Sequence, residues 1–346
     1  DDDSIVPILQ ITKPRLSRTL DPLQSMENHM GRIFKRVGQE KKIILDITSD
    51  ETYQDANLNR YIHDSSEGYK LWVDHVKQIR DNYNSQIIPT IVGKASSLTL
   101  QDLRTQVQRL SEEFSHIAVR LPVQVGDDFE KIAEIFDLLG LSELTRQLFV
   151  VFDFSYVMKS EIDDLKQALE TLEGVIVSNN WQSVNIPIFS SCPASFQIGQ
   201  RSEGLLAYVD MIEYEMLEFI KQRSVFSYGD YAYIHPERKD GGGFWLPRVD
   251  YPWSDGRCFY MRSFNREMSR NNGQLKIKTL VPNDIAYRSI SNSIISHDFF
   301  TSDPVESWGK ETLLENTRAD EITGKSPMHY IAIRSNIHME RVLSML

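Results

Sequence analysis

The sequence predicts an α/β protein, a (β/α)8 TIM-barrel-like fold carrying a lid or insertion and C-terminal helices. Three observations lead there. Short apolar runs alternate with amphipathic stretches along the chain. The runs are continuous rather than alternating, as expected of strands buried on both faces. Charged residues gather where the runs end, which in a barrel is one mouth. The alternative is an open doubly wound parallel sheet, in which the strand order reverses.

The first run is Ile5-Val6-Pro7-Ile8-Leu9, followed by Leu23, Met26, Met30, Ile33, Phe34 and Val37 at helical spacing. Ile43-Ile44-Leu45-Asp46-Ile47 is the second, backed by Tyr69, Trp72, Val73, Val76 and Ile79 on one helical face. The third, Ile87 to Val92, leads to a helix with Thr99 as N-cap and Asp102 three residues on. Ile117 to Leu121 and Leu148 to Asp153 are the fourth and fifth, separated by a helix through Phe129, Ile132, Ala133 and Phe136. A helix through Ile162, Leu165, Leu169 and Leu172 leads to the sixth run, Val184 to Phe189. Leu205, Val209, Ile212 and Met216 mark the helix behind it. Val225 to Asp230 and Cys258 to Arg262 complete the count of eight strands.

Residues 1–346 thus read as a single barrel-like domain. The rhythm breaks over 231–257, where Gly241-Gly242-Gly243, Pro236, Pro247 and Pro252 suppress regular structure. That stretch reads as an insertion or lid near the barrel mouth. Its Trp245, Tyr251 and Trp253 either stack on a base or sugar or, the blander reading, pack the lid on the rim. Residues 284–346 read as a C-terminal helical region.

The 346 residues suffice for a substantial core, and 41% apolar with 25% charged residues is ordinary globular composition. The net charge of -11 disfavours nonspecific binding to nucleic-acid phosphates, which calls for a basic face. Cys192 and Cys258 are too few for a disulfide framework. No apolar run approaches the ~20 residues that span a bilayer. The opening Asp1-Asp2-Asp3 matches no targeting segment, so the expectation is a cytoplasmic protein without membrane association.

Asp46, Arg120, Asp153, Asp230 and Arg262 sit at or near the ends of predicted strands, and Ser190 follows the sixth. Charge at a strand end is costly to bury unless paired. As a pocket, Arg120 and Arg262 suit carboxylate or phosphate recognition, because the guanidinium fork meets planar oxyanions bidentately. Asp46, Asp153 and Asp230 could hold a hard divalent cation such as magnesium, or supply acid and base. The competing reading is an ion-pair network that plugs the strand ends without any ligand.

Other signals are weaker. Gly241-Gly242-Gly243 lacks both the Lys-Ser/Thr ending of a P-loop and dinucleotide glycine spacing. Ser190-Ser191-Cys192 offers a nucleophile, but a turn is the ordinary reading of small residues after a strand. The histidines, His297, His329 and His338 among them, show no metal-ligand spacing.

Several segments resemble the beta protein family of phages, prophages and bacterial mobile elements. They are Val6-Pro7-Ile8-Leu9, Phe189-Ser190-Ser191-Cys192-Pro193-Ala194-Ser195-Phe196, Gly229-Asp230-Tyr231-Ala232, Ser307-Trp308-Gly309 and Ile333-Arg334-Ser335-Asn336-Ile337-His338. Lys13-Pro14-Arg15 and Asn336 depart from the family's usual pattern. The resemblance implies a barrel-like protein with a part in phage defence or anti-defence, and no settled activity.

Three functions follow as expectations. The first is a defence or anti-defence component that binds a ligand or a protein partner through a polar pocket. The second is a metal-assisted hydrolase, phosphodiesterase- or nuclease-like, acting on a phosphate-containing substrate. The third is a structural element of a larger complex. The residues alone leave open whether the protein is an enzyme.

Overall fold

The continuous apolar runs become parallel strands, and the amphipathic stretches between them become helices that bury their apolar stripe. The computed structural model describes residues 5–13, 30–36, 40–48, 53–54, 56–83, 86–93, 99–144, 148–196, 206–237, 245–271, 274–318 and 322–346. Leu23, Met26, Val37, Leu205 and Gly241-Gly242-Gly243 lie outside these residues. The chain divides into two compact units, Asp1–Asp153 with Glu170–Ile186, and Phe154–Leu169 with Pro187–Leu346.

The first unit contains β1 (Ile8–Ile11), helical residues 30–36 (α1), β2 (Ile43–Ile47), α2 (Ala56–His63), α3 (Lys70–Asn82) and β3 (Ile87–Pro89). It continues with α4 (Leu100–Glu113), β4 (Ile117–Pro122) and α5 (Phe129–Leu139). The strands β5 (Leu148–Tyr156) and β6 (Val184–Ser190), with α6 (Ile162–Ser178) between them, contribute to both units. The strands form two sheets, β1-β2-β3 and β4-β5-β6. Leu9 stands opposite Leu45, Ile44 opposite Ile88, and Val119 opposite Val150, all in parallel register. A parallel bridge from Thr90 to Ala118 joins the end of β3 to β4. Gln106 of α4 secures that junction, accepting from Val92 N at 2.9 Å and donating to Val92 O at 3.1 Å. Trp72, Val73, Val76 and Ile79 are the buried face of α3. The Thr99 hydroxyl caps α4 by accepting from Asp102 N at 3.2 Å.

No closed barrel forms among the described residues, which corrects the (β/α)8 expectation to a mixed α/β fold with three-stranded parallel sheets. Within each parallel sheet the strands follow chain order, without the reversal of a doubly wound sheet. The predicted seventh strand, Val225 to Asp230, is not a named strand among the described residues; Phe226 alone makes a β-bridge there, and the chain turns just after it. In that turn Asp230 Oδ1 accepts from Ala232 N at 2.7 Å. Ala232 and Tyr233 follow with φ of 50 and 53 degrees, which no strand allows.

The second unit turns antiparallel instead. β7 (Ala207–Asp210), β8 (Arg248–Trp253) and β9 (Arg257–Arg262) form a sheet in the order β7-β9-β8, antiparallel throughout. The expected last barrel strand is therefore β9, and Arg262 ends an antiparallel strand. β7 occupies part of an expected helix, whose remainder is α7 (Glu213–Lys221). β8 occupies part of the expected insertion, and Pro252 is tolerated because β8 is a sheet edge. Tyr251 is buried in the core with Val249, Met261, Tyr287, Ile333 and Ile337. A hairpin of β10 (Arg266–Asn271) and β11 (Gln274–Thr279) follows. The chain then forms α8 (Asn283–Ile295), α9 (Asp298–Thr301), α10 (Trp308–Arg318) and α11 (Pro327–Met345).

Helices α10 and α11 approach closely at Gly309. A Cβ there would lie 2.5 Å from the Ile333 carbonyl oxygen and 2.9 Å from Ile337 Cγ1. The Gly309 N–H donates to Asn336 Oδ1 at 2.7 Å, so two segments distant in sequence are one packing unit. Gly309→Ala is expected to cost about 2 kcal/mol through overpacking. Urea denaturation checks this; an unchanged midpoint would contradict the close approach.

Candidate functional site

In the first unit the parallel register places Gln10 of β1 opposite Asp46 of β2. Arg120 of β4 reaches both acids predicted there. Its Nη1 donates to Asp46 Oδ2 at 2.8 Å, and its Nε and Nη2 to Asp153 Oδ2 at 2.9 and 2.5 Å. Thr90 Oγ1 donates to Asp46 Oδ1 at 3.0 Å and Gln10 Nε2 to Asp46 Oδ2 at 3.2 Å. Burial pushes the Asp46 carboxyl pKa up, against the pull of Arg120 and Thr90. Asp46, Arg120 and Asp153 thus come together as a self-satisfied network, with one guanidinium spanning two carboxylates. A cation at these acids would have to displace that guanidinium. Among the described residues no group of three or more His, Cys, Asp or Glu side chains is placed to hold a metal ion.

The other predicted residues belong to the second unit. Asp230 Oδ2 pairs with His338 Nε2 at 2.6 Å and accepts from Tyr228 Oη at 2.7 Å. The other His338 nitrogen, Nδ1, lies 3.3 Å from Tyr214 Oη. Ser190 is buried, and its hydroxyl accepts from Cys192 N at 3.1 Å. Next to it, Glu213 at the start of α7 accepts from Ser191 N at 2.8 Å, Ser191 Oγ at 2.6 Å and Ile212 N at 3.0 Å. These contacts build the Ser190-Ser191-Cys192 turn and occupy its hydroxyls. Burial pushes the Cys192 thiol up to about 11, the opposite of an activated nucleophile.

α11 carries a feature that the apolar periodicity conceals. Arg334, His338 and Arg341 recur at the spacing of one helical face, and all three are buried. Each meets its own acid. Arg334 Nη1 donates to Asp250 Oδ2 at 2.7 Å, His338 pairs with Asp230, and Arg341 Nη2 donates to Asp303 Oδ2 at 2.6 Å. Tyr251 Oη also donates to Asp303 Oδ2, at 2.5 Å, and Lys310 Nζ to the Asp303 carbonyl, at 2.6 Å.

Arg262 is held differently. Its Nη2 donates to the Phe196 carbonyl at 3.2 Å, and no carboxylate among the described residues pairs with it. Burial, and then the neighbouring Arg248 charge, pull its pKa below the usual arginine value. Arg248 itself contacts Asp250 at 2.6 Å (Nε–Oδ1) and lies 3.8 Å from the centroid of the Phe196 ring.

Fold and site together define an α/β protein in which, among the described candidate residues, Arg120, Arg334 and Arg341 are each paired with a carboxylate and Arg262 is not. The chain belongs to the Beta protein family, whose model matches residues 1–344. It is similar to Protein beta of Enterobacteria phage P4, at 24% identity over 305 residues, 87% of this chain and 77% of that protein. No solved structure matches it. Among the described residues no helix is long and apolar enough to cross a membrane.

Two outcomes follow. Removing Arg120 leaves two largely buried carboxylates facing each other, so Arg120→Met should cost about 3 kcal/mol in urea denaturation. Asp46→Asn/Arg120→Met/Asp153→Asn should recover most of that loss, since no charge is then stranded.

The second concerns pH. Burial pulls the His338 pKa down, but Asp230 outweighs it and holds the folded value above 6.5. Burial likewise raises Asp230, and His338 outweighs it, leaving the folded value below 3.8. The His338 contribution to stability is therefore complete below pH 6.5 and lost as pH rises through its folded value. That of Asp230 is complete above pH 3.8 and lost as pH falls through its own. The urea midpoint should fall as pH rises above about 6.5, and less steeply in His338→Gln.

Proposed function

We propose that this chain is a binding component in the conflict between phage and host, recognising its ligand or partner through the second unit. The observation that carries this reading is the contrast between its arginines. Arg120, Arg334 and Arg341 each serve a carboxylate of the same chain, whereas among the described residues Arg262 meets only the Phe196 carbonyl. A guanidinium held at a strand end without an acid keeps donors suited to an incoming planar oxyanion. The relative from phage P4 and the family's place in phages and mobile elements support the setting.

The hydrolase alternative draws no support from the geometry. Its magnesium ligands would be Asp46, Asp153 and Asp230; Arg120 engages the first two and His338 the third. Ser191, the middle residue of the expected nucleophile turn, donates to Glu213, and among the described residues no imidazole pairs with it.

The test is phage plating on a bacterial host that expresses the chain. Expression should change plating efficiency for at least one phage of a broad panel, and Arg262→Gln should abolish that change at equal protein level. Asp46→Asn/Arg120→Met/Asp153→Asn should leave it in place. Plating that never responds to the wild-type chain would sink the reading.

A further inference from the structure

Strands β8 and β9 set Arg248 directly opposite Arg262 in antiparallel register. Directly opposed side chains share a sheet face at about 5 Å between Cβ atoms, and like charges there repel. Asp250 lies on the same face, two residues from Arg248. Its single charge is shared between Arg248 and Arg334, so it offsets only part of the positive charge gathered here. Three guanidiniums therefore face one carboxylate, and the surplus falls at Arg262. This occurs in a chain of net charge -11, where surplus positive charge has no counterpart in the bulk composition.

The surroundings hold these groups in place. Arg248 stacks on Phe196, whose ring also meets Tyr260 edge-on at 4.9 Å between centroids. The Phe196 carbonyl anchors one nitrogen of Arg262 and leaves the rest of its fork uncommitted. Both arginines are partly exposed, so a ligand can reach them.

We propose that Arg262 and Arg248 form a binding site for a phosphate group, Arg262 supplying the uncommitted guanidinium fork and Arg248 the second positive charge. This rests on the recognition role of the second unit given above and names the chemistry recognised. A phosphate monoester carries about −1.5 to −2 at pH 7, which matches two surplus positive charges better than a carboxylate does. Free phosphate and the phosphate of a nucleotide share this chemistry.

The experiment titrates the full chain with inorganic phosphate, a nucleoside 5′-monophosphate and acetate at constant ionic strength, by calorimetry and thermal shift. Phosphate should bind saturably and raise Tm, and acetate should bind at least ten-fold more weakly. Tighter binding of the nucleotide than of inorganic phosphate would mark a nucleotide as the source; equal binding would mark free phosphate. Arg262→Gln should weaken phosphate binding about ten-fold or more, the loss of a charge-assisted hydrogen bond. Without ligand, the same variant should be as stable as the wild type or more so, because the repulsion is gone. A merely structural Arg262 gives the opposite pattern, a lower Tm and no phosphate response in either protein. That pattern, or acetate binding as tightly as phosphate, overturns the proposal. If phosphate fails to bind while plating still depends on Arg262, recognition stands and the phosphate assignment falls. If plating is also indifferent, both fall.

Discussion

The second unit depends on three acids and three cations meeting along one helix face. Arg334, His338 and Arg341 of α11 bring positive charge to Asp250, Asp230 and Asp303, all within a largely apolar interior. Removing a single partner strands a buried charge, which costs far more than the pair contributes net. The consequence is specificity of arrangement. A slipped or rotated α11 would bury cations against apolar surface and leave the acids without partners. Gly309 strengthens the same constraint, since only a residue without a side chain lets α10 approach the Ile333 carbonyl.

The first unit solves the same problem with one residue. Arg120 spans Asp46 and Asp153, and Thr90 and Gln10 take up further lone pairs of Asp46. Charge at the ends of parallel strands is often read as a sign of catalysis. Here it is a closed network of donors and acceptors. Functional chemistry is then sought where satisfaction is incomplete, and that inequality separates Arg262 from the other site arginines.

Much of the parallel half was legible in the sequence. Ile43–Ile47, Ile117–Pro122 and Leu148–Tyr156 are strands because continuous apolar runs suit two-sided burial, and Thr99 caps its helix as its spacing implies. The antiparallel half was not legible. Val225 to Asp230 has strand composition, yet among the described residues only Phe226 makes a β-bridge before the chain turns at Asp230, a choice that apolar counting does not register. Arg248 to Trp253 looked like a loop because proline and nearby glycines dominate the pattern, yet a sheet edge accepts proline. Asp46, Arg120 and Asp153 lie within contact because each sits near the end of a parallel strand. Glu213, Asp250 and Asp303 were missed, since their partners are distant in sequence. The available signal was the charged spacing of Arg334, His338 and Arg341 on an otherwise apolar helix.

The order of synthesis gives the α11 pairs a further meaning. Asp230, Asp250 and Asp303 leave the ribosome well before Arg334, His338 and Arg341. Until those cations arrive, the apolar layers around the acids cannot close without imprisoning bare carboxylates. Closing the second unit before α11 docks would bury those three carboxylates unpaired, which costs far more than leaving them in water.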